Sequence, residues 1–135
     1  MRVFLDTNVI VSAVATRGLC ADVLRTVLTE HELVTSPRVL MEARRILRSK
    51  FSVPDALVAG LLELMKEEAV VAQAEDLLPL PIEDKDDVEI VSAAVSARTR
   101  ILVTGDREVQ GIKSVRNMRI LSPRAFWDEL TAHKA

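Results

Sequence analysis

Apolar residues follow two alternating rhythms along this chain. Five short runs, at 3–5, 32–35, 69–72, 101–103 and 119–121, are rich in Val, Ile and Leu and too short for helices, so they read as strands. The longer stretches between them space their apolar positions for helices; after Pro37, for example, Val39, Leu40, Ala43, Ile46 and Leu47 form one stripe. Strands separated by segments long enough for right-handed crossovers predict an α/β fold. Its centre is a mostly parallel sheet of four to five short strands, flanked by helices in three layers.

Local signals place several elements. Ser36-Pro37 and Ser122-Pro123 each set a capping hydroxyl before a proline whose fixed φ suits the first helical position. A helix starts near Asn8, and Pro54 opens another that runs to about Lys66. The segment 73–86, with Pro79 and Pro81, predicts an irregular crossing loop before a helix near 87–98. No repeat and no Pro/Gly/Ser-rich stretch divides the 135 residues, so one domain over 1–135 is expected.

Composition narrows the function classes. A formal net charge of −2 excludes a global basic field for nucleic acid, leaving any such binding to local patches. Residues 83–89 are densely acidic. Arg38, Arg44, Arg45, Arg48 and Lys50 surround a lone Glu42, and the stretch Arg98, Arg100, Arg107, Lys113, Arg116, Arg119 and Arg124 is mostly basic. Taken singly, each patch is what a solvated face looks like. Cys20 is the only cysteine, and neither a leader-like start nor a long apolar span is present, which predicts a cytoplasmic protein with no membrane contact. With Phe4, Phe51, Phe126 and Trp127 as the only aromatics, a stacking platform for single-stranded bases is poorly supported.

The candidate chemistry lies at strand ends. The first apolar run leads directly into Asp6, Thr7 and Asn8, and the run at 101–103 leads into Thr104, Gly105 and Asp106. Open α/β sheets bind ligands at such carboxyl ends, so two acids there suggest one shared site. Glu42 falls on the apolar stripe of its helix, where an ionised carboxylate is costly unless paired. Asp87 shares a face with Val91 near the start of the next helix, and Asp84 lies just upstream. Each acid also has a plainer role: Asp6, Asp87 and Asp106 as helix or turn caps, Asp86 with Glu89 in capping-box spacing, and Glu42 in a salt bridge to a neighbouring arginine.

If the acids converge instead, their repulsion requires divalent cations. An all-oxygen donor set favours Mg²⁺ or Mn²⁺, and neither His31 nor His133 has ligand spacing to a partner. The reaction class is then metal-assisted phosphoryl transfer. Two readings of other classes stand beside it. A receiver-like phosphoacceptor domain needs an acid closing the middle strand, but Val70-Val71-Ala72 leads into Gln73, with only Glu75 and Asp76 beyond. A catalytically silent binding protein is the other, and the presence of all four acids argues against it.

Four segments together resemble a known family. Leu5-Asp6-Thr7-Asn8-Val9-Ile10 with Ser12-Ala13, then Ser36 to Glu42, then Asp84 to Ala94, then Leu102-Val103-Thr104-Gly105-Asp106 look like the PIN domain, and nearest to its VapC-like toxins of toxin–antitoxin systems. The resemblance extends to Ser122–Phe126. It implies a PIN-like, Rossmann-like three-layer fold and a divalent-metal-dependent endoribonuclease. Asp6, Glu42, Asp87 and Asp106 would be its catalytic and metal-binding residues, and would hold one or two Mg²⁺ or Mn²⁺ ions. Thr7, Asn8, Asp84 and Thr104 would be auxiliary. Asp84, Asp86 and Asp87 crowd together, and Asp87 best fits the spacing to Ile90 and Ala94. The resemblance further implies an RNA substrate, such as tRNA or another structured RNA, a cognate antitoxin and a homodimer; the alternative within the family is an RNA-processing nuclease without an antitoxin. Arg17, Arg44, Arg45 and Arg48 are the candidate contacts to the RNA backbone.

Overall fold

The structure is a computed structural model and describes residues 1–132. Its frame is set by β1 (Arg2–Leu5), in which Val3, Phe4 and Leu5 are wholly buried. A strand apolar on both faces belongs in the middle of a covered sheet. It pairs in parallel with β2 (Glu32–Thr35) on one side and β4 (Ile101–Val103) on the other. Beyond β2 lies β3 (Val70–Val71), and beyond β4 lies β6 (Met118–Leu121), both parallel to their neighbours. A short antiparallel β5 (Ser114–Val115) closes that edge, giving the order β3-β2-β1-β4-β6-β5. The chain builds outward from β1 to β3 and then crosses back to β4. The direction therefore reverses between β1 and β4, and the carboxyl ends of those strands flank a switch-point crevice.

Among the described residues seven helices cover the sheet: α1 (Thr7–Ala15), α2 (Leu19–Glu30), α3 (Pro37–Lys50), α4 (Asp55–Glu68), α5 (Lys85–Ser96), α6 (Arg107–Gln110) and α7 (Pro123–Ala132). Both Ser-Pro starts form as expected. The Ser36 hydroxyl accepts from the Val39 N–H at 3.3 Å, and Ser122 accepts from the Ala125 N–H at 3.0 Å. Phe126 on α7 is fully buried, as is Phe4, so two of the four aromatics are core and unavailable for stacking. On α4, Val58, Leu62 and Met65 face the core while Leu57 and Leu64 are each 56% exposed. No described helix is long and apolar enough by itself to cross a membrane.

All five expected strands are present, with the one expected at 69–72 reduced to Val70–Val71. The correction is a sixth strand. β5 is only two residues long, and its link to β6 turns through Arg116, at φ 52°, and Asn117, without the glycine that usually marks such a hairpin. The crossing loop after β3 is irregular as predicted, but α5 begins at Lys85, two residues early, because Asp84 caps it by accepting from the Asp86 N–H at 2.8 Å. The helix expected near Asn8 is α1, and α2 follows it after a 105° bend. The break is at Gly18, whose φ of 143° and ψ of −149° lie in a region essentially reserved for glycine.

Gly18 and Gly60 give a paired test of this geometry, since an added Cβ meets nothing within 4 Å at either site. Gly18→Ala is expected to lower unfolding free energy by about 1–3 kcal/mol through backbone strain alone. Gly60→Ala, inside α4, is expected to raise it by about 0.5–1 kcal/mol, both read from urea denaturation.

Candidate functional site

Asp6 stands where β1 ends and α1 begins, and its position follows from two constraints. Its N–H donates to the Val103 carbonyl at 2.9 Å, holding it against the end of β4. Its carboxylate caps α1, with Oδ1 accepting from the Thr7 N–H at 2.8 Å. The other oxygen, Oδ2, accepts from the Thr104 hydroxyl at 2.7 Å. Only 7% exposed, the group has its pKa raised, chiefly by burial and further by the charge of Asp106, while the hydrogen bonds from Thr104 and Thr7 pull the other way.

Thr104 links two of the acids. The hydroxyl that donates to Asp6 also accepts from the Asp106 N–H at 3.0 Å, so one buried oxygen fixes both strand ends. Asp106 in turn caps α6, with Oδ1 accepting from the Glu108 and Val109 N–H groups at 2.8 and 3.2 Å. Gln110 completes the turn by donating through Nε2 to the Thr104 carbonyl at 2.7 Å. Sequence reasoning missed Gln110. Its only signal was its place one short helical turn beyond Asp106.

Glu42 and Asp87 enter from the flanking helices. On α3, Glu42 is half-buried, its Oε1 has no hydrogen-bond partner, and it forms no ion pair with any described residue, so the salt-bridge explanation fails. Its pKa is raised by burial and by the charges of Asp6 and Asp86, with Arg38 and Arg45 opposing. Asp87, in the first turn of α5, is pushed up to about 7 by burial and then by Asp6, Asp84, Asp106 and Glu42. That set of neighbours contains the other three candidate catalytic acids, Asp6, Glu42 and Asp106, together with Asp84.

The crowding at 84–87 resolves by partner. Asp84 is occupied as the cap of α5. Asp86 lies 3.7 Å from Arg38, whose Nε donates to Glu89 at 2.8 Å. Asp87 alone among the three acids lacks both a cap role and a cation. Among the auxiliary positions, Thr7 is buried with its hydroxyl unpartnered, while Asn8 is exposed.

The arrangement is therefore four carboxylates from four parts of the chain at one sheet edge, with none paired to a cation among the described residues. Their hard oxygen donors, the uncompensated charge and the orphaned Glu42 Oε1 fit a hard divalent ion. No three of the described acidic, His or Cys side chains already stand in ligand geometry about one point. His31 is not among the neighbours of these acids, and His133 lies outside the described residues.

The candidate RNA contacts separate. Arg44, Arg45 and Arg48 line an open cleft of about 700 Å³ with Met41 and Ser49, and Arg17 does not. Arg44 and Arg48 both hold Asp55 at the start of α4, at 3.2 and 3.3 Å. Arg45 has no such partner among the described residues, and its charge bears on Glu42.

Comparison with known proteins agrees with this fold. The PIN domain family matches residues 2–108. Among solved structures, VapBC2 from Rickettsia felis, bound to a DNA fragment from its promoter, superposes with a TM-score of 0.61 at 18% identity, covering 90% of this chain and 98% of that one. VapBC-1 from nontypeable Haemophilus influenzae gives 0.62 at 20% identity, covering 92% and 99%. VapC20 from Mycobacterium tuberculosis, a toxin that cleaves the sarcin-ricin loop, gives 0.62 at 17% identity, covering 87% and 98%. No curated protein sequence matches the chain. With a family match spanning most of its length and the same fold in these neighbours, the chain belongs to the PIN domain family.

Proposed function

We propose that this protein is a divalent-metal-dependent endoribonuclease that hydrolyses RNA phosphodiester bonds, and that it is the toxin of a toxin–antitoxin pair acting in the cytoplasm. The observation that carries the chemistry is the convergence of Asp6, Glu42, Asp87 and Asp106 without a neutralising cation. Support for the toxin assignment comes from the similar structures, two of which are VapBC proteins and the third a toxin.

The four carboxylates would hold one or two Mg²⁺ or Mn²⁺ ions, which when bound supply Lewis-acid charge for a phosphodiester and acidify a water. The chain's own contribution is placement. Thr104 and the Thr7 N–H fix both oxygens of Asp6. Asp106 is held through Oδ1 by α6, leaving Oδ2 without a hydrogen bond from a described residue. Glu42 and Asp87 approach from α3 and α5 and complete the negative rim. Arg45, without a carboxylate partner among the described residues, is the arginine of its cleft most available to a phosphate, and structured RNA read through its backbone suits a protein with so few accessible aromatics. A cognate antitoxin would find exposed Leu57 and Leu64 on the outer face of α4, and a second copy of the chain could use the same kind of surface.

Cleavage of a pool of structured RNAs is expected with Mg²⁺ or Mn²⁺ and not with chelator, and Asp6→Asn and Asp106→Asn should each abolish it; equal cutting by the variants would overturn the assignment. Thr104→Val leaves the carboxylates in place but removes the hydroxyl that orients them. It should reduce metal affinity or activity by about 10–100-fold, read as a shift in the Mg²⁺ activation curve. Growth arrest on expression, relieved by the product of an adjacent small gene, tests the toxin assignment separately.

Asp87 also predicts a pH dependence of stability without metal. Its folded pKa of about 7 lies above the ordinary value of 3.8, so the folded state binds this proton more tightly than the unfolded chain. Stability in chelator should therefore fall as pH rises from about 4 to about 7 and level off above that. Asp87→Asn should flatten this decline and raise the melting temperature at pH 8 by a few degrees, a modest gain because the group is half exposed. Mg²⁺ should stabilise the wild type more than the variant, checked by thermal melts across pH.

A further inference from the structure

At the opposite end of the sheet from the carboxylates, Arg98, Thr99 and Arg100 lead into β4 and Arg116 and Asn117 lead into β6. Together with α5 they border a cleft of about 600 Å³. No carboxylate of the described residues lines it. Seven of the chain's arginines, among them Arg38, Arg44 and Arg119, are tied to acids, but Arg98, Arg100 and Arg116 form no ion pair with any described residue. On adjoining elements, Glu32 lies 3.7 Å from Arg2 and Glu129 is paired with Arg119 at 2.6 Å.

A second, independent feature lies in the same wall. Thr99 is only 3% exposed, yet its Oγ1 has no hydrogen-bond partner. A buried hydroxyl is normally satisfied, so this one has unused capacity to donate. The backbone also departs from the ordinary at both flanking arginines, with φ of 58° at Arg98 and 52° at Arg116, values uncommon for residues other than glycine or asparagine. Three guanidinium groups with no ion pair among the described residues match the chemistry of a phosphate, which offers charge and several acceptor oxygens at once.

We propose that this cleft is a phosphate-binding site, separate from the carboxylate centre. It takes phosphate either from the backbone of an RNA whose other part reaches the acids, or from a free phosphate compound such as pyrophosphate. The cleft gives a role to Arg98, Arg100 and Arg116 of the basic stretch, which the nuclease site leaves unused.

The test uses the full chain in chelator, so that binding is read without cutting and the result does not depend on the nuclease assignment. The Arg98→Asn/Arg116→Asn double variant removes two charges with residues that tolerate the local φ, and Arg100→Gln removes the third at an ordinary backbone position. Thr99→Val probes the hydroxyl. Fluorescence anisotropy with a labelled RNA hairpin across NaCl concentrations and calorimetry with pyrophosphate are the two readouts. If RNA is the source, the double variant binds the hairpin at least tenfold more weakly and the slope of log affinity against log salt falls by about two. If a free phosphate compound is the source, the wild type binds pyrophosphate, the double variant and Arg100→Gln lose it, and hairpin affinity is unchanged. Wild-type binding of both probes by folded double variant and folded Arg100→Gln would overturn the proposal.

Discussion

Unneutralised negative charge at the carboxyl ends of β1 and β4 is the constraint around which the rest of this structure is arranged. Like charges brought together lose stability unless something holds them, and here the holding is done by the fold itself. Burial of Val3, Phe4 and Leu5 fixes β1 at the centre, parallel pairing brings β4 beside it, and the Thr104 hydroxyl joins the acids at the two ends. Glu42 and Asp87 then arrive on helices whose apolar faces leave little freedom in where their acidic positions point. The site is a by-product of core packing on four sides, not a local loop motif.

That origin explains what the sequence disclosed. The strand ends were legible because a buried parallel strand is a continuous apolar run, and its end is wherever polarity resumes, at Asp6 and at Thr104. Glu42 was legible because it interrupts an apolar stripe. Each acid at a helix start read equally as a cap, and Asp6, Asp84 and Asp106 do cap helices while their charges also bear on Asp87. A residue at the switch point between strand and helix meets free N–H groups and the crevice together.

What stayed illegible depends on single backbone conformations or on contacts distant in sequence. The β5–β6 hairpin turns on a positive φ at Arg116, a residue type that gives no warning of it. The bend between α1 and α2 rests on Gly18, one glycine among helix-compatible neighbours. The fates of Asp86 and Asp87 diverge because Arg38 reaches across from α3 to one and not the other, a choice made by tertiary packing. Gln110 acts through a carbonyl, and carbonyl acceptors leave no trace in sequence.

The double grip of Arg44 and Arg48 on Asp55 means that this basic face is already in contact with an anion, one supplied by the chain. A phosphate arriving there enters an exchange, displacing a carboxylate that is itself solvent-exposed and held by pairs worth only about 0–1 kcal/mol each. The trade is cheap, so the face is not blocked. It does release the first turn of α4 from α3, and the angle between those two helices thereby becomes answerable to whatever lies against the arginines.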